Sequence, residues 1–149
     1  MPAAARVRKA DLEALADFRY ELRRFLRFSE RTAGEAGLTP LQYQLLLQVA
    51  GRRGRDGPTV GELAERLQSA QHGVVALVTR CEQAGLVERR PGTSDRRRVY
   101  VCLTARGEKA VRFVAGAARR ELASLRHVFR VERLSAHNDE GVPVRERRG

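Results

Sequence analysis

The sequence has no tryptophan, one methionine and only 5% aromatic residues, so its core must be built from Leu, Val and Ala. Two cysteines, Cys81 and Cys102, lack C-x-x-C spacing, which excludes a disulfide framework and a Cys-only zinc site. The histidines His72, His127 and His137 show no metal-ligand spacing, so neither a metal nor a cofactor is expected. No apolar run approaches the roughly 20 residues that span a bilayer, and residues 1–8 carry no apolar signal core. The expectation is a cytoplasmic protein with no membrane partner. No Ser/His/Asp set, phosphate-cradling glycine loop or cleft-forming carboxylate pair occurs, which speaks against an enzyme.

Lysine is nearly missing as well. Lys9 and Lys109 are the two present, yet the formal charge is +11, so arginine carries the excess. Such basicity favours a polyanion as partner, with nucleic acid the default. Arginine abundance can also reflect base composition alone, so placement has to decide. The 149 residues fit one domain with a sizeable core.

A first helix is predicted from near Asp11. Leu12, Leu15, Phe18, Leu22, Phe25 and Leu26 recur at three- and four-residue steps, with Arg19, Arg23, Arg24 and Arg27 opposite. Residues 33–38 hold two glycines and end it. Thr39, Pro40 and Gln42 then form a helix-start signal: N-cap, first-turn proline and the third position of a capping box. The second helix runs through Tyr43, Leu45, Leu46, Leu47 and Val49. Residues 51–58 are a glycine- and arginine-rich loop. Thr59 to Glu62 reads as a second capping box, opening a short helix with Leu63, Ala64 and Leu67 inward. Ser69 is placed as cap of a fourth helix whose inward stripe is Val74, Leu77, Val78 and Cys81, closed at Gly85.

The period then changes. Residues 86–90 read as a strand, 91–95 as turn, and Val99, Val101 and Leu103 alternate with Tyr100 and Cys102 on a returning strand. Cys102 is expected to be the more exposed cysteine and Cys81 a buried hydrophobe. Thr104 caps a fifth helix with stripe Val111, Val114, Ala118, Leu122, Leu125 and Phe129, running to about Leu134; His127 falls on its surface. The expected divisions are 1–38, a long N-terminal helix; 39–104, a lobe of short helices and a hairpin; 105–134, a long C-terminal helix; and 135–149, a polar, disordered tail.

Two short helices joined by a tight turn are a docking device, the second entering the major groove. Here these are residues 59–67 and 69–83. The second leaves Gln71, His72, Val75, Ala76 and Thr79 on its outer face. Gln can read adenine edges, and Val or Ala can touch a thymine methyl. The alternative is a surface helix that binds nothing. The hairpin favours DNA: Arg89, Arg90, Arg96, Arg97 and Arg98 outnumber Glu88 and Asp95, with three adjacent arginines at the tip. Arginine suits phosphates and the negative potential of a narrow minor groove. A solvated charge run is the alternative, and Glu88 reads as an ordinary strand residue.

Taken together, these segments resemble the MarR (multiple antibiotic resistance regulator) family. The likeness runs from about residue 11 to 130. It is carried by Leu38-Thr39 with Gln42, Gly61-Glu62-Leu63-Ala64, Gly85-Leu86-Val87-Glu88-Arg89, Asp95-Arg96-Arg97, and Val101-Cys102-Leu103-Thr104 with Gly107. The resemblance implies a mainly α winged helix-turn-helix with a small β-hairpin wing and long N- and C-terminal dimerisation helices. It implies a homodimer on a pseudo-palindromic operator of double-stranded DNA, and the expected role is a repressor, with an activator as the alternative. Matched recognition-helix positions are Ser69, Gln71, His72, Val75, Thr79 and Arg80. In the family's D-x-R wing motif, matched by Asp95 and Arg97, the Asp steadies an Arg that contacts DNA; Arg96 and Arg98 would hold phosphates.

Many members release DNA on binding a small aromatic or anionic effector. Tyr20, Arg24, Phe28 and Tyr43 are the candidate positions here, against the plainer reading of core residues beside surface arginines. An oxidant-sensing role for Cys81 or Cys102 has little support, because neither lies near the N-terminus, where such members keep their thiol. Three features depart from the pattern. Gln68 stands where the turn often has glycine, Gly73 sits in the recognition helix, and the family's last dimerisation helix is missing or very short. Dimer contacts are therefore expected mainly from the first and fifth helices. The competing function is a winged-helix module that binds protein, with no specific DNA binding.

Overall fold

In the computed structural model, residues 6–125 are described, and they form five helices and one hairpin. In chain order these are α1 (Lys9–Glu35), α2 (Pro40–Ala50), α3 (Val60–Leu67), α4 (Gln71–Gln83), β1 (Val87–Pro91), β2 (Val99–Leu103) and α5 (Ala105–Ser124). The fold is mainly α with a two-stranded antiparallel wing, as the sequence predicts. The expected continuation of the fifth helix to Leu134, with His127 and Phe129, and the polar tail at 135–149 lie outside the described residues.

Local chemistry sets the boundaries. The Thr39 hydroxyl accepts from Gln42 N–H at 3.1 Å, while Thr39 N–H donates to Gln42 Oε1 at 3.0 Å, so this capping box is complete. The second predicted box is half made. Thr59 Oγ1 accepts from Glu62 N–H at 3.2 Å, but the Glu62 carboxylate turns to Arg52 at 2.9 Å instead of returning to Thr59. Thr104 joins three segments. Its hydroxyl donates to Gly85 O at 2.6 Å and accepts from Gly107 N–H at 3.1 Å, and its own N–H donates to Leu86 O at 3.1 Å. Gly107 must be glycine here: a Cβ would sit 2.0 Å from the Leu86 carbonyl oxygen.

The core is aliphatic. Leu45, Leu46, Leu63, Val74, Val78, Val87, Val101, Val111, Val114 and Cys81 are fully buried. Helix α2 lies at the centre and packs against α1, α3, α4, α5 and β2. Two expectations about burial change. On α1 the apolar stripe is not covered within one chain: Leu12 and Leu15 are exposed and Leu26 is 50% exposed, while Ser29, Thr32 and Ala33 make the buried contact. On β2 the inward residues are Tyr100 and Val101, with Val99 exposed. The cause is Gly92, whose missing side chain leaves room for the Tyr100 ring; a Cβ there would lie 2.4 Å from the ring edge.

Candidate nucleic-acid interface

The turn between α3 and α4 fixes how α4 is presented. Gln68 takes the left-handed conformation, φ 50° and ψ 46°, the place where glycine is more usual. Its amide stabilises the turn by donating to Glu65 O at 2.8 Å, and Ser69 N–H reaches back to Ala64 O at 3.0 Å. The predicted cap is corrected. Ala70, not Ser69, occupies the N-cap position, with no side-chain cap bond. The Ser69 hydroxyl instead donates to Leu67 O at 3.2 Å, which holds it in the turn.

Val74, Leu77, Val78 and Cys81 anchor α4 in the core. Gln71, His72, Gly73, Val75, Ala76 and Arg80 are exposed, and Ser69 is exposed just before them. They form one light, mostly polar face. Thr79 is set apart, being half-buried with its hydroxyl accepting from Arg89 Nη2 at 3.1 Å.

Arg89 was grouped by sequence with the charges of the hairpin, but its side chain turns back from the wing. Its Nη1 donates to Glu82 Oε1 at 2.8 Å, and its backbone N–H donates to Glu82 Oε2 at 3.1 Å. Arg89 therefore ties β1 to the outer side of α4. A carboxylate and an arginine flanking the Gly85 turn, seven residues apart, were the available signal. Arg90 is ion-paired with Glu88 on the same strand. Two of the five hairpin arginines thus serve the fold.

The other three stand at the tip. Gly92 N–H donates to Arg98 O at 2.9 Å and Arg98 N–H to Asp95 O at 3.2 Å, closing the loop. Asp95 Oδ1 accepts from Arg97 N–H at 3.0 Å and lies 3.7 Å from Arg97 Nε. The Arg97 side chain is nevertheless 96% exposed, so its guanidinium is oriented at the root and open to a partner. Arg96 and Arg98 flank it, both exposed.

The predicted effector positions separate. The Arg24 guanidinium lies 5.8 Å from the ring centre of exposed Tyr20, within cation–π reach. Half-buried Phe28 lines a hollow of about 220 Å³ with Arg24, Arg27, Arg31 and Glu121. Tyr43 does not join them: it is buried in the core, and burial raises its phenol pKa. A larger hollow of about 330 Å³, which the sequence did not reveal, lies where the α1–α2 junction meets α5. Leu38, Leu86 and Phe113 contribute apolar surface, and Arg106 and Lys109 contribute charge.

Cys81 is fully buried, and burial pushes its thiol up to about 11, against the lowering field of Arg80. A thiol so protonated is a poor nucleophile at neutral pH. Cys102 is half-buried. Among the described residues no group of three or more His, Cys, Asp or Glu could hold a metal ion, and no helix is long and apolar enough to cross a membrane.

A model of the MarR family matches residues 36–98. A MarR family protein from Bacillus stearothermophilus has a similar structure, with 28% identity, TM-score 0.65, and 85% of each chain covered. AbsC, a MarR family transcriptional regulator from Streptomyces coelicolor, matches at 25% identity and TM-score 0.63 over 89% of this chain and 90% of its own. The S. aureus MepR–DNA complex shares the fold at 22% identity and TM-score 0.64, covering 80% of this chain and 86% of that one. No curated protein matches the sequence.

Proposed function

We propose that the chain is a MarR family transcription regulator that represses transcription as a homodimer on a pseudo-palindromic operator. One observation carries the DNA-binding reading. The exposed polar face of α4 stands beside a wing whose Arg97 is braced by Asp95 and 96% exposed. A helix of that shape fits the major groove, and an exposed arginine on a braced loop fits the adjoining minor groove. In this reading Gln71, His72, Val75 and Arg80 face base edges, Ser69 lies at the approach, and Arg96 and Arg98 hold phosphates. Thr79 contributes from the edge, positioned by Arg89. DNA is the bound partner of the MepR structure named above, which supports the same reading.

Dimerisation explains the uncovered apolar stripe. Leu12, Leu15 and Leu26 on α1, with Phe113 and Leu122 on α5, are large and exposed in a single chain. A second copy would cover them, and burying each such side chain contributes roughly 1.5–3 kcal/mol. Release by a small aromatic anion is the remaining part of the proposal. The 330 Å³ hollow between the long helices and the DNA lobe offers apolar walls with Arg106 and Lys109 at hand, and Tyr20, Arg24 and Phe28 offer a shallower surface on α1.

The test is selection of duplexes from a random pool, followed by gel shift with the wild-type chain and with Arg97→Ala. Loss of an arginine contact costs on the order of 1–3 kcal/mol, roughly 5- to 150-fold, at each half-site, and Arg97→Ala removes one from both half-sites of the proposed homodimer. Selected half-sites should lie about one helical turn apart. Unchanged affinity of Arg97→Ala overturns the wing assignment, and failure to enrich any sequence overturns operator recognition.

A further inference from the structure

The stretch 51–57, which reads Gly-Arg-Arg-Gly-Arg-Asp-Gly, joins α2 to α3 and takes no part in the interface described above. Its second half is fixed to the wing hairpin. Gly57 lies so close to β2 that a Cβ would sit 2.0 Å from the Val101 carbonyl oxygen. Val101 N–H donates to Pro58 O at 2.9 Å, in the manner of an added strand residue. One residue earlier, Asp56 Oδ1 accepts from the hydroxyl of Thr93 in the wing loop at 3.1 Å, and Asp56 Oδ2 lies 3.3 Å from the same hydroxyl.

The three arginines of this loop divide by role. Arg52 belongs to the fold: its Nε lies 2.9 Å from Glu62 Oε2, and its Nη1 donates to Arg53 O at 3.1 Å. Arg53 and Arg55 are exposed, and among the described residues neither has a side-chain partner. The acid nearest to Arg55 in sequence, Asp56, bonds Thr93 instead of neutralising its neighbour. Arg53 also lines an open hollow of about 810 Å³ together with Arg66 and Glu65. A solvated charge run needs no tether. This one is held by backbone and side-chain bonds to the element that carries Arg96, Arg97 and Arg98.

We infer that residues 52–55 form a second phosphate-contacting surface continuous with the wing, in which Arg53 and Arg55 grip the backbone of the bound duplex and the Asp56–Thr93 bond positions them. The inference rests on the DNA-binding reading above. Contacts to phosphate position a protein on the duplex and carry no sequence information. The loop therefore adds to affinity for operator and random DNA alike.

The experiment uses the whole chain, a selected operator duplex and a random duplex of equal length, with affinity measured across a salt series. Each phosphate contact contributes about 0.9 to the slope of log affinity against log salt. Arg53→Ala/Arg55→Ala is expected to flatten the slope by about 3.6, two contacts at that value in each copy of the proposed homodimer, and to weaken both duplexes by the same factor. Its melting temperature should stay unchanged, since neither side chain has an internal partner. Thr93→Val keeps both arginines but removes the tether, and should lose part of the same slope. An unchanged slope in the double variant overturns the inference. If the wild type still binds steeply and Arg97→Ala still weakens it, the DNA-binding reading survives that result. A wild type without salt-dependent binding overturns both. Weakening confined to the operator shows base readout rather than phosphate contact, and an unchanged slope in Thr93→Val removes the positioning role.

Discussion

Gly73→Ala should make the protein more stable and a worse DNA binder. Gly73 lies in the first turn of α4, within a helix, on the exposed face. A Cβ built there meets nothing within 4 Å, so alanine costs nothing sterically in the unbound chain. Glycine in a helix is about 1 kcal/mol worse than alanine, and somewhat less in the first turn. The expected gain of roughly 0.5–1 kcal/mol corresponds to a melting temperature higher by about 2–5 °C for a chain of this size. The fold itself therefore has no use for glycine at this position. The face on which it lies is the one proposed to enter the groove, between His72 and Val75. If the backbone there approaches DNA closely, a methyl group must displace the helix or the duplex. Overpacking of that kind costs about 1–3 kcal/mol at each half-site, roughly 5- to 150-fold in affinity per copy of the proposed homodimer. Thermal melting of the unbound protein and fluorescence anisotropy with a labelled operator read the two effects separately. A raised melting temperature with unchanged affinity refutes close approach, and a lowered one refutes the propensity argument.

The remaining expectations concern fold and assembly. Gly107→Ala should destabilise by about 3 kcal/mol or more in urea unfolding, because its Cβ would fall 2.0 Å from Leu86 O and backbone must move; a loss below about 1 kcal/mol contradicts the packing described. Glu82→Ala should cost on the order of 1 kcal/mol, since Arg89 is partly exposed, and should weaken DNA binding by loosening Thr79 and β1; unchanged binding shows the clamp to be structural alone. Leu15→Asp should shift the chain to a monomer in sedimentation at micromolar concentration, and a persistent dimer would move the interface off α1. Burial raises the Cys81 pKa from 9.0 to about 11, so the folded state holds its proton longer than the unfolded state does. The stability this contributes is complete below pH 9 and is lost as pH rises towards about 11, on the order of 2 kcal/mol. Urea unfolding at pH 8 and 10.5 should show that fall, and Cys81→Ala should make it smaller.

Much of the architecture was legible because its signals are local. Thr39 with Gln42, and Thr104 with Gly107, bond partners three residues away, which a sequence displays directly. The failures come from partners that local pattern cannot reveal. Glu62 sits at the right position for a capping box, yet Arg52, ten residues upstream, takes its carboxylate once α3 folds against the loop. Tyr100 turns inward because Gly92, across the hairpin, leaves space for a ring. The apolar stripe of α1 is plain in the spacing of Leu12, Leu15, Phe18, Leu22, Phe25 and Leu26. Spacing gives the face and not its cover, and one chain leaves much of that stripe exposed. For the interface, the outer face of α4 and the Asp95–Arg97 pair were readable, but the diversion of Thr79 to Arg89 depends on tertiary contact.

The arginines make the same point about charge. A formal charge of +11 says that a polyanion would be attracted, and says nothing of where. Many of the arginines are already committed within the described residues. Arg52 pairs with Glu62, Arg66 bonds Gln48, Arg89 holds Glu82, Arg90 pairs with Glu88, and Arg112 pairs with Glu108. Most of these pairs are partly exposed, and each contributes a kcal/mol or less. Removing them from the count changes the picture more than their energies do. On the DNA-facing lobe, what stays available is Arg80 on α4, Arg96 to Arg98 at the wing tip, and Arg53 and Arg55 on the loop bonded to that wing. These exposed arginines stand on three segments that the fold ties together through Arg89, Thr93 and Val101. Of these, Arg53 and Arg55 lack a side-chain partner and Arg97 is braced by Asp95 yet 96% exposed, so substitution at Arg97, Arg53 and Arg55 tests DNA contact directly.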